Sequence, residues 1–497
     1  MLSITRYINS IIDKGAAAGM TLEEILADLL KEFRASKEFR LMQEAEQYYR
    51  NRSAVQTKTN RNPNKSNTRI EAPLLKKLID QKEAYLLSRP FTLDTENEQY
   101  AAALNEIFDA SFRRTLKAYV KSTVKSGIAY IQPYIDDEGM LRFMRLPPME
   151  VIPLWLDIDH TQIEGFLRVY DFITYRGRSK ETITAVEYWD AQGVRYYIVD
   201  DGGKLIPDAA KPDSAHLEIN GQPFNWEGIP LIWAKYNEDE LPLFYFLREL
   251  LDDMNWQLSV TADTMRDVAA FVYILKGHLG TDSLEFMKNL QAYNLINVDI
   301  DGNVEKINAE LDMNAVMMLL DRYRRDIYDF AAGVDTKDPE LGNASGTAIN
   351  FRYMDLENDC QNLGNELRYA LERLKPFIDT YLQLTGKGDF FGEIFDVVFN
   401  TDLPVEETGI INNIKTSWGM ISRKTALSNH PWVDDVEAEI EQLEAEQLEA
   451  SEYGDGLFAH LRPVDGAGGV ANGEGQERNQ QGALGKASRS EDGEQPE

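Results

Sequence analysis

The chain has 497 residues, 43% of them hydrophobic, which is the composition of a folded protein with room for two to four domains. Its net charge is −31, and such an acidic surface repels phosphate and argues against a tight DNA or RNA binder. The single cysteine excludes an intrachain disulfide. No basic leader with a long apolar core and no apolar run of membrane-spanning length is present, so we expect neither a signal peptide nor a membrane span.

The first 126 residues are predicted to be mainly helical. In the segment TLEEILADLLKEF, Thr21 and Glu24 have the spacing of a helix-capping box. Residues 70–90 show a helical apolar pattern that ends before a proline, and residues 97–126 show a second one. The expected core positions of that second helix are Phe108, Phe112, Leu116, Tyr119 and Val124.

The stretch between these helical segments, residues 51–69, is polar, rich in asparagine and clearly cationic. We interpret it as an exposed loop. The alternative is a contact with an acidic neighbour or with nucleic acid, because clustered cations suit either partner.

Residues 127–236 alternate between apolar and polar side chains, which is the period of a half-buried β-strand. The first two strands are predicted to form a hairpin that turns at residues 136–139. Further alternating segments continue up to IPLIWAKY, so we predict an antiparallel β-rich region. Its tryptophans are assigned to the core rather than to base stacking: Trp155, Trp189, Trp226 and Trp233.

Three long helical patterns follow. Apolar residues step by three or four from Pro242 over about 23 residues, and again from about Asp312 to Ala332. Between these two patterns, FVYILKG predicts a strand, SLEFMKNLQAY a helix, and NLINVDIDGNVEKIN a hairpin that turns at Asp301 and Gly302. The third pattern runs for about 35 residues from Ile349, and Pro376 is expected to kink it or to split off its last turns.

Toward the C-terminus, GDFFGEIFDVVFN predicts a strand, and residues 410–431 and 432–452 predict helices. The last helix carries nine acidic residues and no basic one between Asp434 and Glu452. This favours a solvated face or an oligomer contact, with a basic partner as the alternative. Residues 451–497 are predicted to be a disordered tail, rich in acidic residues and glycine.

No nucleotide-binding or nucleophile motif is found: the chain lacks a P-loop, a GxGxxG and a GxSxG sequence. The best metal candidate is WLDIDH, in which Asp157, Asp159 and His160 cluster. A two-metal nuclease needs several further carboxylates at one point, so a structural turn is the preferred interpretation. We expect no cofactor and no metal, and we expect Cys360 to be a small buried hydrophobe.

A polar loop, GVDTKDPELGNASG (residues 333–346), separates the second and third long helical patterns. Nothing in it indicates catalysis. An enzyme lid would need a site beneath it, and a passive linker would not need two such long flanking helices. The layout therefore indicates a loop that rigid helices hold in position toward a molecule that moves past it.

This order of parts resembles the portal proteins of tailed bacteriophages, of the type found in long-tailed phages of Gram-positive bacteria. The matching segments span most of residues 45–450, and their order and spacing are specific. They are RIEAPLLKKLIDQKEAYLLSRP (Arg69–Pro90), KSGIAYIQPYIDDEGMLRFMRLPPMEVIPLWLDIDH (Lys125–His160), GIPLIWAKYNED (Gly228–Asp239), LLDDMNWQLSVTADTM (Leu250–Met265), NASGTAINFRYMDLEN (Asn343–Asn358) and ISRKTALSNHPWVDDVEAEIEQLEAE (Ile421–Glu446).

The resemblance implies a fold of the α+β class, mainly helical, with long stem and wing helices and an antiparallel β-rich wing. Transferred segment by segment, it implies N-terminal helices at 1–45, a wing at 46–241, stem helices at 242–266 and 311–332, a clip at 267–310, a tunnel loop at 333–346, a long wing helix and strand at 347–402, crown helices at 403–450 and the tail at 451–497.

The resemblance also implies a function without catalysis. About twelve copies would form a ring at one capsid vertex, and double-stranded DNA would enter and leave through the central channel. The implied partners are the terminase motor, the major capsid and scaffold proteins and the head-tail adaptor, with no membrane. The protein would be made in the host cytoplasm and would end in the virion.

By the same resemblance, residues 333–346 would line the channel and touch DNA. Lys337 would contact phosphate, whereas Asp335, Asp338 and Glu340 would repel it, and weak contacts suit a duct in which DNA must slide. The implied channel residues are Val334, Asp335, Thr336, Lys337, Asp338, Pro339, Leu341 and Asn343, with Arg322, Arg324 and Arg325 of the second stem helix as further candidates. Exposed arginines or intersubunit ion pairs are the simpler interpretation of those three.

Two other classes of protein remain as alternatives. One is a metal-dependent nuclease built on Asp157, Asp159 and His160. The other is a non-viral helical scaffold, which predicts a monomer or dimer rather than a closed ring.

Overall fold

The computed structural model describes two compact units, Met1–Val405 and Glu406–Glu497, and each is described by itself. The described residues are 10–60, 65–219, 221–267, 272–276, 284, 303–307, 312–338, 346–400, 411, 414–430, 432–433 and 436–452.

Helices and antiparallel sheets are both present, as the predicted α+β class requires. The helices are α1 (Ile11–Ala17), α2 (Leu22–Ala35), α3 (Lys37–Tyr49), α4 (Leu74–Leu87), α5 (Glu98–Ile107), α6 (Ala110–Ser126), α7 (Leu243–Asp267), α8 (Met313–Phe330), α9 (Gly346–Leu384), α10 (Arg423–Ser428) and α11 (Val436–Glu452). Within the part of the chain that the structure describes, none of the helices has the length and apolar character needed to cross a membrane.

The strands are β1 (Thr92–Asp94), β2 (Ile128–Ile135), β3 (Leu141–Leu146), β4 (Val151–Trp155), β5 (Ile163–Arg176), β6 (Ser179–Asp190), β7 (Gly193–Val199), β8 (Leu205–Pro207), β9 (Leu217–Ile219), β10 (Gln222–Phe224), β11 (Ile232–Lys235), β12 (Val272–Lys276), β13 (Asn303–Ile307) and β14 (Asp396–Val398). The two largest sheets have the orders β4-β5-β6-β7-β8 and β11-β2-β3. All pairings in both are antiparallel.

Local sequence signals predict several element boundaries correctly. The Thr21 side chain accepts from the Glu24 N–H and the Glu24 carboxylate accepts from the Thr21 N–H, which completes the predicted capping box before α2. The predicted hairpin turn lies between β2 and β3, where Gly139 adopts a left-handed φ of 80°. Helix 97–126 is in fact two helices, because the Asp109 carboxylate caps a new helix at the Phe112 N–H (2.8 Å).

The β5–β6 hairpin is longer than the sheet that carries it. Its strands pair with each other up to Arg176 and Ser179. The neighbour β4 pairs with β5 only as far as Arg168, and β7 pairs with β6 only from Ala185 onward. Residues 171–184, called here the arm, therefore form a two-stranded extension beyond the five-stranded sheet.

The two helices predicted on either side of the 267–310 segment pack against each other. α7 has 25 residues and is about 37 Å long at 1.5 Å per residue. The Tyr323 hydroxyl of α8 donates to an Asp253 carboxylate oxygen of α7 at 2.5 Å. We call α7 and α8 the stem helices.

Most of the described residues of the cationic stretch 51–69 are exposed, as predicted, but the stretch is also held against α7. Lys58 is buried and forms an ion pair with the buried Asp263 of α7. The other Asp263 oxygen accepts from the Thr68 N–H at 2.6 Å. The acidic neighbour considered for this stretch is therefore, for Lys58, a residue of the same chain.

Helix α9 is a single element of 39 residues, about 58 Å long. Pro376 lies inside it, so the prediction that this proline splits off the last turns is wrong. The residues that follow the proline, Phe377, Ile378 and Tyr381, are buried in the main core. Their burial stabilises the helix where one backbone hydrogen bond is missing.

Four other expectations need correction or lie outside the described residues. Strand β13 pairs with β12, Val272 opposite Ile307, and the predicted turn at residues 301–302 lies outside the described residues. The strand predicted within GDFFGEIFDVVFN is only β14, which pairs with β1. The helix predicted at 410–431 is interrupted before α10, whose N-cap is Ser422. The predicted tail beyond residue 452 also lies outside the described residues.

A buried lysine joins the long helices at the centre of the main core. Lys82 of α4 has no exposed surface and donates to an Asp359 carboxylate oxygen of α9 at 2.7 Å. It also donates to the Ala332 carbonyl just beyond α8 at 3.2 Å. The Tyr236 hydroxyl also donates to Asp359, at 3.1 Å.

We predict that Lys82→Met lowers the free energy of unfolding by about 2–4 kcal/mol, because Asp359 and the Ala332 carbonyl lose a buried partner. Chemical denaturation followed by circular dichroism measures this. The matched control is Lys76→Met in the same helix, which removes a half-exposed pair with Asp80 and should cost about 0.5 kcal/mol or less. Equal effects of the two substitutions would contradict the prediction.

Candidate functional site at the base of the polar loop

The loop leaves α8 through a Schellman turn. The Gly333 N–H donates to the Tyr328 carbonyl at 2.8 Å, and the Ala332 N–H donates to the Asp329 carbonyl at 3.1 Å. Ala332 occupies the left-handed position of this turn with φ of 46°, where glycine is the usual residue. Gly333 follows in close contact with α4, since a Cβ at this position would lie 2.4 Å from Leu78 Cδ2.

The next residue, Val334, is fixed to α4 by its backbone and by its side chain. Its N–H donates to Gln81 Oε1 at 3.0 Å, and its carbonyl accepts from Gln81 Nε2 at 2.9 Å. The Val334 side chain is 3% exposed and belongs to the main core. The expectation that Val334 offers an apolar contact in a channel is therefore wrong for this structure.

Two ion pairs hold the following residues to both flanking helices. Arg324 of α8 donates to the two carboxylate oxygens of Asp335, at 2.5 and 2.8 Å. Arg352 of α9 forms an ion pair with Asp338. The hydrogen bond from Arg324 lowers the pKa of Asp335. Two of the three carboxylates that were expected to repel phosphate are thus partly neutralised.

The exposed part of the described loop is short. Thr336 and Lys337 are exposed, and the Lys337 N–H donates to Asp335 Oδ1 at 3.1 Å. The remaining predicted channel residues, Pro339, Leu341 and Asn343, lie outside the described residues.

The three stem arginines have different environments. Arg322 is exposed and pairs with Asp326 one turn away at 2.9 Å. Arg324 faces the loop and pairs with Asp335. Arg325 is exposed and lines a cavity of about 680 Å³ between α8, the loop and the start of α9. Lys337 lines the same cavity with acidic residues of the two helices, Asp321, Asp329 and Asp355.

Sequence analysis did not identify Gln81, Lys82 and Arg352 as supports of the loop. Gln81 is 253 residues from Val334 in sequence, so no local pattern connects them. A signal did exist for Lys82, because it occupies the buried face of α4 together with Leu75, Leu78 and Leu86. A lysine on an apolar helix face indicates a buried partner.

The residues of the nuclease alternative form a turn. Asp157 accepts hydrogen bonds from the N–H groups of Thr161 (2.8 Å) and Gln162 (2.9 Å), so its carboxylate stabilises the loop after β4. His160 contacts Glu240 through Nδ1 at 2.5 Å and stacks on Trp155. Among the described residues, no three histidine, cysteine or acidic side chains converge on a point where a metal ion would bind.

Comparison with known proteins identifies the class. The family model for phage portal proteins of the SPP1 Gp6-like type matches residues 33–453. The portal protein of Bacillus phage SPP1 is 28% identical over 394 residues, which are 78% of each chain. The portal protein of Clostridium phage phiCD119 is 25% identical over 460 residues, which cover 88% of this chain and 98% of the relative.

A solved structure described as the neck of a native GTA particle computed with C12 symmetry is also similar. It has 12% identity and a TM-score of 0.41, and the match covers 72% of this chain and 90% of that one. A likeness at this level supports no argument about function.

The fold and the family match together define a structural component of a phage head rather than an enzyme. The chain belongs to the SPP1 Gp6-like family of phage portal proteins. Its function is that of a portal: a ring at one capsid vertex that forms the channel for packaging and ejection of double-stranded DNA. The resemblance seen in the sequence is confirmed, and nothing favours the nuclease or the non-viral scaffold.

We predict opposite effects of two substitutions at neighbouring positions of the Schellman turn. Gly333→Ala should lower the free energy of unfolding by about 1–3 kcal/mol, because the new Cβ overlaps Leu78 in a packed core. Ala332→Gly should raise it by about 0.5–1 kcal/mol, because glycine adopts the left-handed conformation without strain. Thermal unfolding measures both, and a stabilising Gly333→Ala would contradict this description of the turn.

We also predict that the contribution of the Asp335–Arg324 ion pair to the stability of the protein depends on pH. A lowered folded-state pKa means that the charged carboxylate stabilises the protein above its unfolded pKa, and that this contribution is lost as the pH falls through the folded value. Asp335→Asn should therefore lower the unfolding midpoint at neutral pH, and the difference from the natural chain should shrink on acidification. Unfolding curves of both chains across the acidic range test this. A difference that grows on acidification would contradict it.

Proposed function

We propose that the loop 333–346 lines the narrow part of the DNA channel through its exposed residues, in a ring of about twelve copies. The support is the placement of the loop between the stem helices and α9. Its first residues are held by α4, while Thr336 and Lys337 are exposed. In such a loop the base keeps one position, and the residues beyond the base contact the DNA that moves through the channel.

The charges near the loop suit DNA that must slide. Asp335 and Asp338 are paired with Arg324 and Arg352, so their repulsion of phosphate is reduced. Lys337 and Arg325 remain exposed near the same cavity. Asp321, Asp329 and Asp355 line the same cavity, so the surface carries both signs of charge. Mixed charges give only weak contacts with phosphate, whereas a continuous basic surface would bind DNA tightly and hold it.

The assignment of the remaining segments forms part of the proposal. The wing comprises residues 46–241 and 347–402, the clip residues 267–310 and the crown residues 403–450. The terminase motor and the head-tail adaptor dock on the ring, and the major capsid and scaffold proteins surround it. ATP hydrolysis belongs to the motor, because this chain contains no P-loop. The chain is made in the host cytoplasm and incorporated into the virion.

The first test is the mass of the purified protein, with negative-stain electron microscopy in parallel. We expect closed rings with a central hole and a mass of about twelve to thirteen times the 56.7 kDa of the chain. The measurement is repeated after co-expression with the capsid and scaffold proteins, which can promote assembly. A monomer or dimer under both conditions would contradict the proposed ring.

A second test examines the loop directly. We predict that a photo-cross-linker attached at Lys337→Cys reacts with DNA held in filled particles. The matched control is Lys204→Cys, another exposed lysine, in the turn between β7 and β8, which should give no DNA adduct. Equal labelling from both positions, or labelling from the control alone, would contradict the assignment of the loop to the channel.

A further inference from the structure

The arm, residues 171–184, carries exposed apolar and aromatic side chains. Phe172, Ile173 and Tyr175 are exposed, Tyr175 by 69%. Arg178 and Lys180 are exposed at its tip. An isolated two-stranded hairpin with apolar side chains on its surface is only marginally stable in water, and exposed apolar groups of this kind mark contact surfaces.

A large cleft lies at the opposite end of the same sheet. It has a volume of about 1200 Å³, and its walls come from α3, the β4–β5 turn, the loop after β11 and the side of α9. Ile158 at its edge is 95% exposed, and Tyr369 on α9 is 47% exposed. The cleft therefore offers apolar surface of its own.

The charge of this cleft is opposite to that of the tip of the arm. Glu240 is paired with His160 and Lys235, and Asp359 is paired with Lys82. Exposed carboxylates also line the cleft: Glu38, Asp159, Glu238 and Asp239. A basic, aromatic hairpin is complementary to such an acidic cleft with an apolar edge.

The arm cannot reach the cleft of its own chain. The β4–β5 turn lies where β5 begins, and the arm lies where β5 ends. Residues 163–170 of β5 separate the base of the arm from this turn by about 26 Å, and the whole strand of 14 residues places the tip of the arm about 45 Å away at 3.3 Å per residue. A ring of more than two copies needs two different complementary surfaces on each subunit, because its interfaces are head-to-tail.

We propose that the arm of each subunit inserts into the acidic cleft of the neighbouring copy of this chain. Arg178 and Lys180 approach Glu238 and Asp239, while Tyr175 and its apolar neighbours pack near Ile158 and Tyr369. The inference rests on the proposed ring, and it adds a specific contact that closes the ring outside the stem helices.

Charge exchange tests this contact. Arg178→Glu/Lys180→Glu and, separately, Glu238→Lys/Asp239→Lys should each raise the concentration at which half of the protein is assembled by about tenfold, as measured by mass photometry. The quadruple variant, in which both surfaces are reversed, should recover most of the loss.

The matched control reverses the charge of two exposed arginines on α6, Arg113→Glu/Arg114→Glu. This control should assemble like the natural chain. Circular dichroism checks that every variant is folded.

The outcomes separate this inference from the proposed function. Rings in the natural chain with unchanged assembly of both double variants would overturn the arm contact and leave the ring in place. A quadruple variant that assembles no better than the double variants would overturn the arm contact as well. A natural chain that forms no ring, even with the capsid and scaffold proteins, would remove the ring and this contact together.

Discussion

The ion pair between Lys82 and Asp359 determines where the polar loop begins. One ammonium group satisfies the Asp359 carboxylate on α9 and the carbonyl of Ala332 at the end of α8. Because an unpaired buried charge is costly, the Lys82 ammonium favours the arrangement in which these three parts of the chain meet. The adjacent Gln81 then binds both backbone groups of Val334. Helix α4 therefore fixes the base of the loop and leaves Thr336 and Lys337 exposed.

A fixed base and exposed distal residues suit a portal loop. If the whole loop moved freely, it could not keep a constant distance from the DNA. If every residue were packed, the copies could not adapt to a double helix whose symmetry differs from that of a ring. The ion pairs of Asp335 and Asp338 also reduce the local negative charge of an otherwise acidic protein. If the loop lines the channel as we propose, the same side chains contribute to fold stability and to the electrostatics of the channel.

Sequence patterns were sufficient for features that depend on neighbouring residues. The capping box at Thr21, the hairpin between β2 and β3, the long stem helices and the buried Cys360 follow from local spacing. Long-range contacts gave no such signal. The continuity of α9 through Pro376, the burial of Val334 and the Lys58–Asp263 pair depend on residues distant in sequence, and local periodicity does not contain that information.

The most direct test of the central claim is a cryo-electron microscopy reconstruction of the assembled ring. The claim is that α4 and the Lys82–Asp359 pair hold the base of the loop while its distal residues face DNA. The account predicts that Val334 remains packed against α4 in every subunit and that Lys337 faces the narrowest part of the central channel. A reconstruction in which Lys337 faces the outer surface of the ring, or in which Val334 leaves α4 and enters the channel, would contradict it.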